Sequence, residues 1–241
     1  MAVAQKLCCK VLRIADHGEH VYSIDLVPDK LFPVFKPGQF LHLALDTYDP
    51  AGFWPESRVF SIASSPYQRD RLSITYSVRG RFTARMEKEL KEGKTVWVKM
   101  PYGDFVIQSR ADVVLLAGGT GITAFTAFLS GLSVNSTQKV YLAYGARNAD
   151  LLIYRKLIDQ CANEARHLRQ WYFAEERRVD PSRTGPAILG KLSVKEIWGQ
   201  IDDPVASTFY LSGPPAMITT ISRDLKDRGV GLDAIRVDAW E

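Results

Sequence analysis

The sequence predicts two domains of different construction: an N-terminal antiparallel six-stranded β-barrel over residues 1–108 and a C-terminal α/β domain with a parallel sheet over residues 109–241. Three observations predict this. Up to about Phe105 the apolar residues fall in short β-rich runs broken by turn residues, the mark of antiparallel strands. From about Asp112 the apolar runs become continuous and alternate with stretches of helical period. Strands buried on both faces, with crossover helices between them, read this way. The 241 residues, 46% apolar and 24% charged, have an ordinary globular composition and suffice for one large core or two modest ones.

In the first half, Lys6–Ala15, Val21–Val27, Gln39–Leu45, Ser57–Ala63, Leu72–Val78 and Thr95–Met100 read as strands. Turn chemistry separates them at Asp16–Gly18, Pro28–Asp29, Pro37–Gly38, Asp49–Gly52 and Gly93–Lys94. Six short strands so spaced suggest a small barrel. One helix is expected near Phe82–Leu90, where Phe82, Met86 and Leu90 recur every fourth residue on one face.

In the second half, Val113–Ala117 is a continuous apolar run and reads as a fully buried strand. A helix is expected over Ile122–Leu132, a strand over Val140–Gly145 and a helix over Ala149–Cys161. Strands follow at Leu168–Phe173 and Thr208–Leu211, then a helix from about Pro215 to Lys226. Strands alternating with helices imply right-handed crossovers and a parallel sheet. The boundary between the halves is expected between Phe105 and Asp112.

Composition excludes several classes. No run of about 18 apolar residues indicates a membrane span. Met1–Lys10 has no apolar core followed by a small-residue cleavage site, so a cytoplasmic protein is expected. Cys8, Cys9 and Cys161 are too few and too scattered for a disulfide framework or an iron–sulfur cluster. They read as reduced structural thiols, and no metal site is expected. Lys and Arg exceed Asp and Glu by only 15 to 12 in residues 1–108 and by 16 to 15 in residues 109–241. Nucleic-acid binding needs a concentrated basic face, so no nucleic-acid partner is expected. The local exception is Arg69 to Lys94, with eight basic and four acidic residues. It reads as a solvated face, or as a surface for an anionic cofactor or an acidic partner.

Three strands of the second half run into small residues: Gly118-Gly119-Thr120-Gly121, Gly145-Ala146-Arg147 and Ser212-Gly213-Pro214-Pro215. In a parallel sheet all three lie at the carboxyl edge, where open α/β sheets bind ligands. Glycine lets a phosphate approach backbone N–H groups, and a helix starting near Ile122 would aim its positive end at it. Thr120 and Thr123 offer hydroxyls. The run is neither a G-x-G-x-x-G turn nor a P-loop, and taken alone it is equally a tight strand–helix turn.

In the barrel half, Arg58-Val59-Phe60-Ser61 places Arg58 and Phe60 on one face of a strand and Val59 and Ser61 on the other. A guanidinium can clamp a phosphate, a ring can lie against a flat heterocycle, and a hydroxyl can hydrogen-bond it. An ordinary strand with a surface arginine would look the same.

The whole set resembles the ferredoxin–NADP reductase family. The resemblance implies that Arg58 contacts a flavin phosphate, Phe60 packs on the isoalloxazine and Ser61 lies near flavin N5. Gly80-Arg81-Phe82-Thr83 resembles the motif that opens a helix at the flavin pyrophosphate, and Tyr76 and Val78 are counted with Val59 among the flavin contacts. Pro101-Tyr102-Gly103-Asp104-Phe105 resembles the segment that closes the family's barrel. Gly118, Gly119, Thr120, Gly121 and Thr123 look like the nicotinamide pyrophosphate loop, and Tyr144, Gly145, Ala146 and Arg147 like the next nucleotide contact. Ser212, Gly213, Pro214 and Pro215 match the Cys-Gly-Pro-Pro loop beside the nicotinamide. These motifs stand in family order from residue 58 to residue 215.

The sequence departs from the family in two places: Ala124 stands where proline is usual, and Ser212 where cysteine is usual. Serine keeps the size and a hydrogen-bonding atom. Trp240 resembles the terminal aromatic that some relatives stack on flavin, although it equally reads as packing on the last strand. Trp54 reads as a core residue, with flavin shielding as the alternative.

The resemblance implies FAD and NADH or NADPH as cofactors. Hydride would pass from nicotinamide C4 to flavin N5, with Ser61 and Ser212 at the reacting end. Electrons would then pass to a protein or small-molecule acceptor: ferredoxin, flavodoxin, an oxygenase or another partner. No histidine is assigned a catalytic role. A free-flavin reductase, an electron-transfer subunit of a larger complex and a non-catalytic redox-sensing module are the alternatives. Arg147, Arg177, Arg178 and Arg183 could receive an adenosine 2′-phosphate, and Glu175 and Glu176 would repel one.

Overall fold

In the first half of the chain, side-chain alternation builds the core. The computed structural model describes residues 3–176 and 185–238. β1 (Gln5–Asp16), β2 (Val21–Pro28), β3 (Phe40–Ala44), β4 (Ser57–Ser61), β5 (Leu72–Ser77) and β6 (Thr95–Tyr102) form one sheet in the order β4-β3-β6-β1-β2-β5. Every pairing in it is antiparallel. Leu7, Cys9 and Val11 alternate into one core with Ile24 and Leu26, Leu41 and Leu43, Leu72 and Ile74, and Val96, Val98 and Met100. Period two puts every second side chain on the same face. The edges β4 and β5 are joined just beyond β4, where the Ala63 N–H donates to the Ser73 carbonyl at 2.8 Å. The sheet is thus a nearly closed barrel.

α1 (Arg81–Glu89) lays Phe82 and Met86 on this core, with Leu90 just past its end. These are the three residues that the four-residue spacing selects. Burying a side chain of this size contributes roughly 1.5–3 kcal/mol. The helix is therefore held by its apolar face.

In the second half the sheet is parallel throughout. β7 (Val113–Gly118), β8 (Val140–Asn148), β9 (Leu168–Glu176), β10 (Ile188–Leu189), β11 (Thr208–Ser212) and β12 (Ile235–Asp238) run in the order β10-β9-β8-β7-β11-β12. β7 lies between β8 and β11, and all six of its residues are buried, which explains its unbroken apolar sequence. α2 (Thr123–Leu129), α3 (Arg155–Glu164), α4 (Val194–Trp198) and α5 (Pro215–Asp227) connect or follow the strands. Val194, Ile197, Ile221 and Leu225 from α4 and α5 share a core with Val114, Leu116, Phe209 and Leu211.

The chain divides into two compact units, one of residues 1–106 with 126–131 and a second of residues 107–125 with 132–241. The segment opening the second unit is tied to its own sheet. The Gln108 N–H donates to the Tyr210 hydroxyl oxygen at 3.2 Å, and that hydroxyl donates to the Gln108 carbonyl at 3.0 Å. Ser109 and Thr208 share a 2.8 Å hydroxyl contact. The Gln138 amide donates to the carbonyls of Ser109 and Ala111 at 2.8 and 2.6 Å.

Three expected elements differ. The helix expected from Ile122 is a 3-10 turn over Gly119–Ile122 followed by the seven-residue α2. The helix expected over Ala149–Cys161 is a short 3-10 turn at Ala149–Leu151 and then α3, which starts at Arg155. The strand expected to end at Gly145 continues to Asn148, because Ala146 and Asn148 remain paired with Ala174 and Glu176 of β9. Asn148 then stops it: its side-chain oxygen accepts from the N–H groups of Asp150 and Leu151. Among the described residues, no helix is long and apolar enough to cross a membrane.

Candidate functional site

The barrel half places Arg58 and the Gly80–Thr83 turn at one rim, with Phe60 and Tyr76 in the core and Val59 facing away from it. Arg58 and Phe60 stand opposite Leu43 and Leu41 across the β4–β3 ladder, and both leucines are fully buried. Partners across an antiparallel ladder share a face, so Arg58 and Phe60 start on the core side of β4, as alternation requires. Phe60 stays in the core. Arg58 is nearer the rim, and its guanidinium lies 5.4 Å over the Phe82 ring with 53% of its side chain exposed. Ser61 is buried at the end of the strand, and Val59 faces away from the core, opposite His42.

The start of α1 is built by Thr83. Its hydroxyl oxygen accepts the N–H groups of Arg79 and Gly80 at 2.9 and 3.1 Å, and the hydroxyl donates to the Gly80 carbonyl. A side chain at the third helical position that reaches back in this way fixes a helix start. Ala84 makes the first helical bond, to the Gly80 carbonyl. The N–H groups of Arg81, Phe82 and Thr83 thus have no acceptor within the helix. A Cβ added at Gly80 would meet nothing within 4 Å, so the backbone here is open to approach. Tyr76 is deep in the core, its ring 6.2 Å from Phe60 and 5.5 Å from Tyr22. Burial pushes its phenol well above the ordinary range. Val78 is partly buried against the same core. Trp54 is half-buried rather than in the core, and its indole N–H donates to the Ser57 hydroxyl at 3.0 Å.

One feature of this rim has no short motif in the sequence. Glu56 lies among three arginines, with Oε1 3.2 Å from Arg81 and 3.5 Å from Arg58, and Oε2 3.8 Å from Arg85. Arg85 also holds Asp46 and Glu89 at 2.9 and 3.0 Å, and its hydrogen bonds keep both carboxyls below the usual carboxylate range.

In the sheet half, the loops after β7 and β11 interlock. A Cβ at Gly121 would lie 2.4 Å from the Ser212 carbonyl oxygen. At Gly118 it would lie 2.6 Å from the Met217 sulfur, and at Gly213, where φ is +152°, 2.7 Å from the Met217 methyl. Gly121 is required by the approach of the backbone after β11, whereas Gly118 and Gly213 make room for the Met217 side chain of α5. Gly119 differs: its φ is +54° and a Cβ there would meet nothing within 4 Å. The Thr123 hydroxyl donates to the Thr120 carbonyl at 2.8 Å and is buried, so it shapes the loop from within. Ala124, in the place of the family proline, is fully buried.

Gly145, Ala146 and Arg147 lie inside β8 rather than in a loop after it. Gly145 pairs with Gly118 of β7, Ala146 is buried and Arg147 is exposed. Ser212, fully buried, donates to the Asp238 carboxylate at 2.9 Å. Pro214 precedes the first turn of α5. Glu175 and Glu176 are exposed at the end of β9. Trp240, Arg177, Arg178 and Arg183 lie outside the described residues. Among those described, no group of three or more His, Cys, Asp or Glu is placed to hold a metal ion.

Residues 115–223 match the family model of the oxidoreductase NAD-binding domain. The fold agrees over the whole chain with a ferredoxin NADP+ reductase from Neisseria gonorrhoeae solved with bound FAD and NADP. The TM-score is 0.77 at 20% identity, covering 99% of each chain. The fold of the chain is ferredoxin–NADP reductase-like. Among curated relatives, the chain is 28% identical over 210 residues to a flavohemoprotein of Deinococcus radiodurans, covering 86% of this chain and 51% of the relative. It is also 28% identical over 216 residues to the reductase component DmpP of phenol 2-monooxygenase from Pseudomonas sp., covering 86% of this chain and 58% of that one. The chain thus spans between half and three fifths of the length of these two relatives.

Proposed function

We propose that the chain is a flavoprotein oxidoreductase that takes reducing equivalents from NAD(P)H onto bound FAD and delivers them to an acceptor. The observation that carries this reading is the rim of the barrel, where Arg58, Arg81 and the open start of α1 converge around Gly80. The exposed guanidiniums already gather round a carboxylate, so an anion of phosphate size and charge suits the place. Bound flavin would supply redox chemistry that no side chain here provides.

The protein's part is binding and orientation. Arg58 and Arg81 hold the phosphate groups, and the N–H groups of the first turn of α1 add donors. Phe60 and Tyr76 form a rigid apolar wall, and Ser61 presents a hydroxyl at the end of β4. On the nucleotide side, Gly119 allows backbone approach, Gly145–Arg147 stand at the carboxyl end of β8, and Gly213 and Pro214 shape the loop that follows Ser212. Ser212 and Asp238 fix each other, so the hydroxyl is oriented before nucleotide arrives. The domain assignment follows: residues 1–108 take the flavin and residues 109–241 the nicotinamide.

DmpP is named as the reductase component of phenol 2-monooxygenase, and the acceptor proposed for this chain is a protein of the oxygenase or ferredoxin class. Purified protein is expected to be yellow and to lose its visible flavin absorption when NADH or NADPH is added without oxygen. The ratio of kcat/KM for the two nucleotides identifies the donor. A protein that remains colourless with added FAD rules the reading out. Flavin that separates from the protein on a desalting column favours a free-flavin reductase instead.

A further inference from the structure

We propose that Glu56 is an internal competitor for the flavin phosphate and sets how tightly this chain keeps its flavin; the proposal rests on the flavin reading above. The Glu56 carboxylate bridges β4 and α1, with Arg58 on one side and Arg81 on the other, at 3.5 and 3.2 Å. Among the described residues it is the one carboxylate paired with either arginine. Arg85 does not depend on it, because Asp46 and Glu89 are closer. Glu56 therefore serves the cations of the motifs Arg58-Val59-Phe60-Ser61 and Gly80-Arg81-Phe82-Thr83, two arginines 23 positions apart in the sequence.

Two guanidiniums held near each other without an anion repel. With no phosphate present, Glu56 supplies the neutralising charge. An arriving phosphate must displace it, because the same N–H donors cannot face both anions at full strength. Glu56 is two residues ahead of Arg58 on the approach to β4, and two-thirds of its side chain is covered, so it can swing outward without unfolding the strand. Its presence weakens flavin binding by the energy of the pairs that are broken. A chain so built exchanges flavin more readily than one with a neutral residue at position 56.

The test is FAD binding by full-length, flavin-free protein, read as quenching of FAD fluorescence. Wild type and Glu56→Gln are compared at low salt and at high salt. Glu56→Gln is expected to bind FAD about three- to tenfold more tightly at low salt, the scale of one or two exposed ion pairs, and to release it more slowly. The difference should shrink at high salt. Riboflavin, which has no phosphate, should bind both proteins alike. Equal or weaker FAD binding by the variant would overturn the proposal, since Glu56 would then be holding the arginines ready. An equal gain for riboflavin would overturn it too, by placing the effect at the ring. If neither protein binds FAD, the flavin reading and this proposal fall together; if both bind it equally, the proposal alone falls.

Discussion

The Ser212 hydroxyl donates to the Asp238 carboxylate across 2.9 Å, with Ser212 fully buried and Asp238 6% exposed. The two residues are register partners on the parallel strands β11 and β12. The bond therefore joins the last described strand to the loop that carries Gly213 and Pro214.

Ser212→Ala should cost about 1.5–3 kcal/mol in urea or thermal unfolding, as expected for a hydrogen bond to a charged acceptor. Ser212→Cys should lie between wild type and alanine, because a thiol is a weaker donor. An alanine variant with unchanged stability would show that the bond contributes nothing to the fold.

Gly121→Ala and Gly119→Ala separate two reasons for glycine. At Gly121 a methyl would strike the Ser212 carbonyl, and backbone cannot yield as a flexible side chain does. A loss of about 3 kcal/mol or more is expected, at or above the upper end for overpacking, with loss of NAD(P)H affinity. At Gly119 there is space but a positive φ, so the cost should be about 1–2 kcal/mol. Chemical unfolding of the two variants checks the order, and equal losses would refute the distinction.

Thr83→Val removes three hydrogen bonds at the start of α1 while nearly conserving volume. A loss of roughly 1–2 kcal/mol is expected, together with weaker FAD binding. Thr83→Ser, which keeps the hydroxyl, should restore most of both. If serine fails to rescue, the methyl group and not the hydroxyl is what matters.

His42 gives a pH dependence with a definite sign. Burial, and then the Lys99 charge, hold its imidazole below the ordinary value of 6.5. The unfolded chain takes up the proton first as pH falls, so this group's contribution is full above 6.5 and is lost below it. His17 is lowered by burial and acts in the same direction. His20 is raised by its bond to Glu87, so its contribution is present at low pH and is lost as pH rises. His42→Gln should flatten the fall in stability between about pH 7 and pH 5. A variant with the wild-type profile would exclude His42 as the source.

Much of this architecture was legible because the signals are local. Leu7, Cys9 and Val11 alternate, Phe82, Met86 and Leu90 repeat every fourth residue, and Val113–Ala117 has no polar break. The motif glycines were legible too, although their physical reason was not. Gly118 and Gly121 read as openings for a phosphate, whereas a Cβ would meet Met217 and Pro214 at Gly118 and the Ser212 carbonyl at Gly121. Gly145 reads as a strand stop, while its pairing with Gly118 and the continued ladder to β9 override that preference and carry β8 to Asn148. The pairs Ser212–Asp238 and Glu56–Arg81 are 26 and 25 residues apart, and no periodicity announces them. β10 and α4 are too short to give a pattern.

The double hydrogen bond between Tyr210 and Gln108 bears on how this half of the chain could be recombined. A chimera spliced at residue 106 would carry Gln108, Ser109 and Ala111 with the sheet, and every clasp on that segment would re-form. A splice at residue 112 would leave the Tyr210 hydroxyl and the Gln138 amide facing a foreign sequence. The fastening of the sheet's leading segment therefore lies ahead of its first strand, and a graft designed on strand limits alone would cut through it.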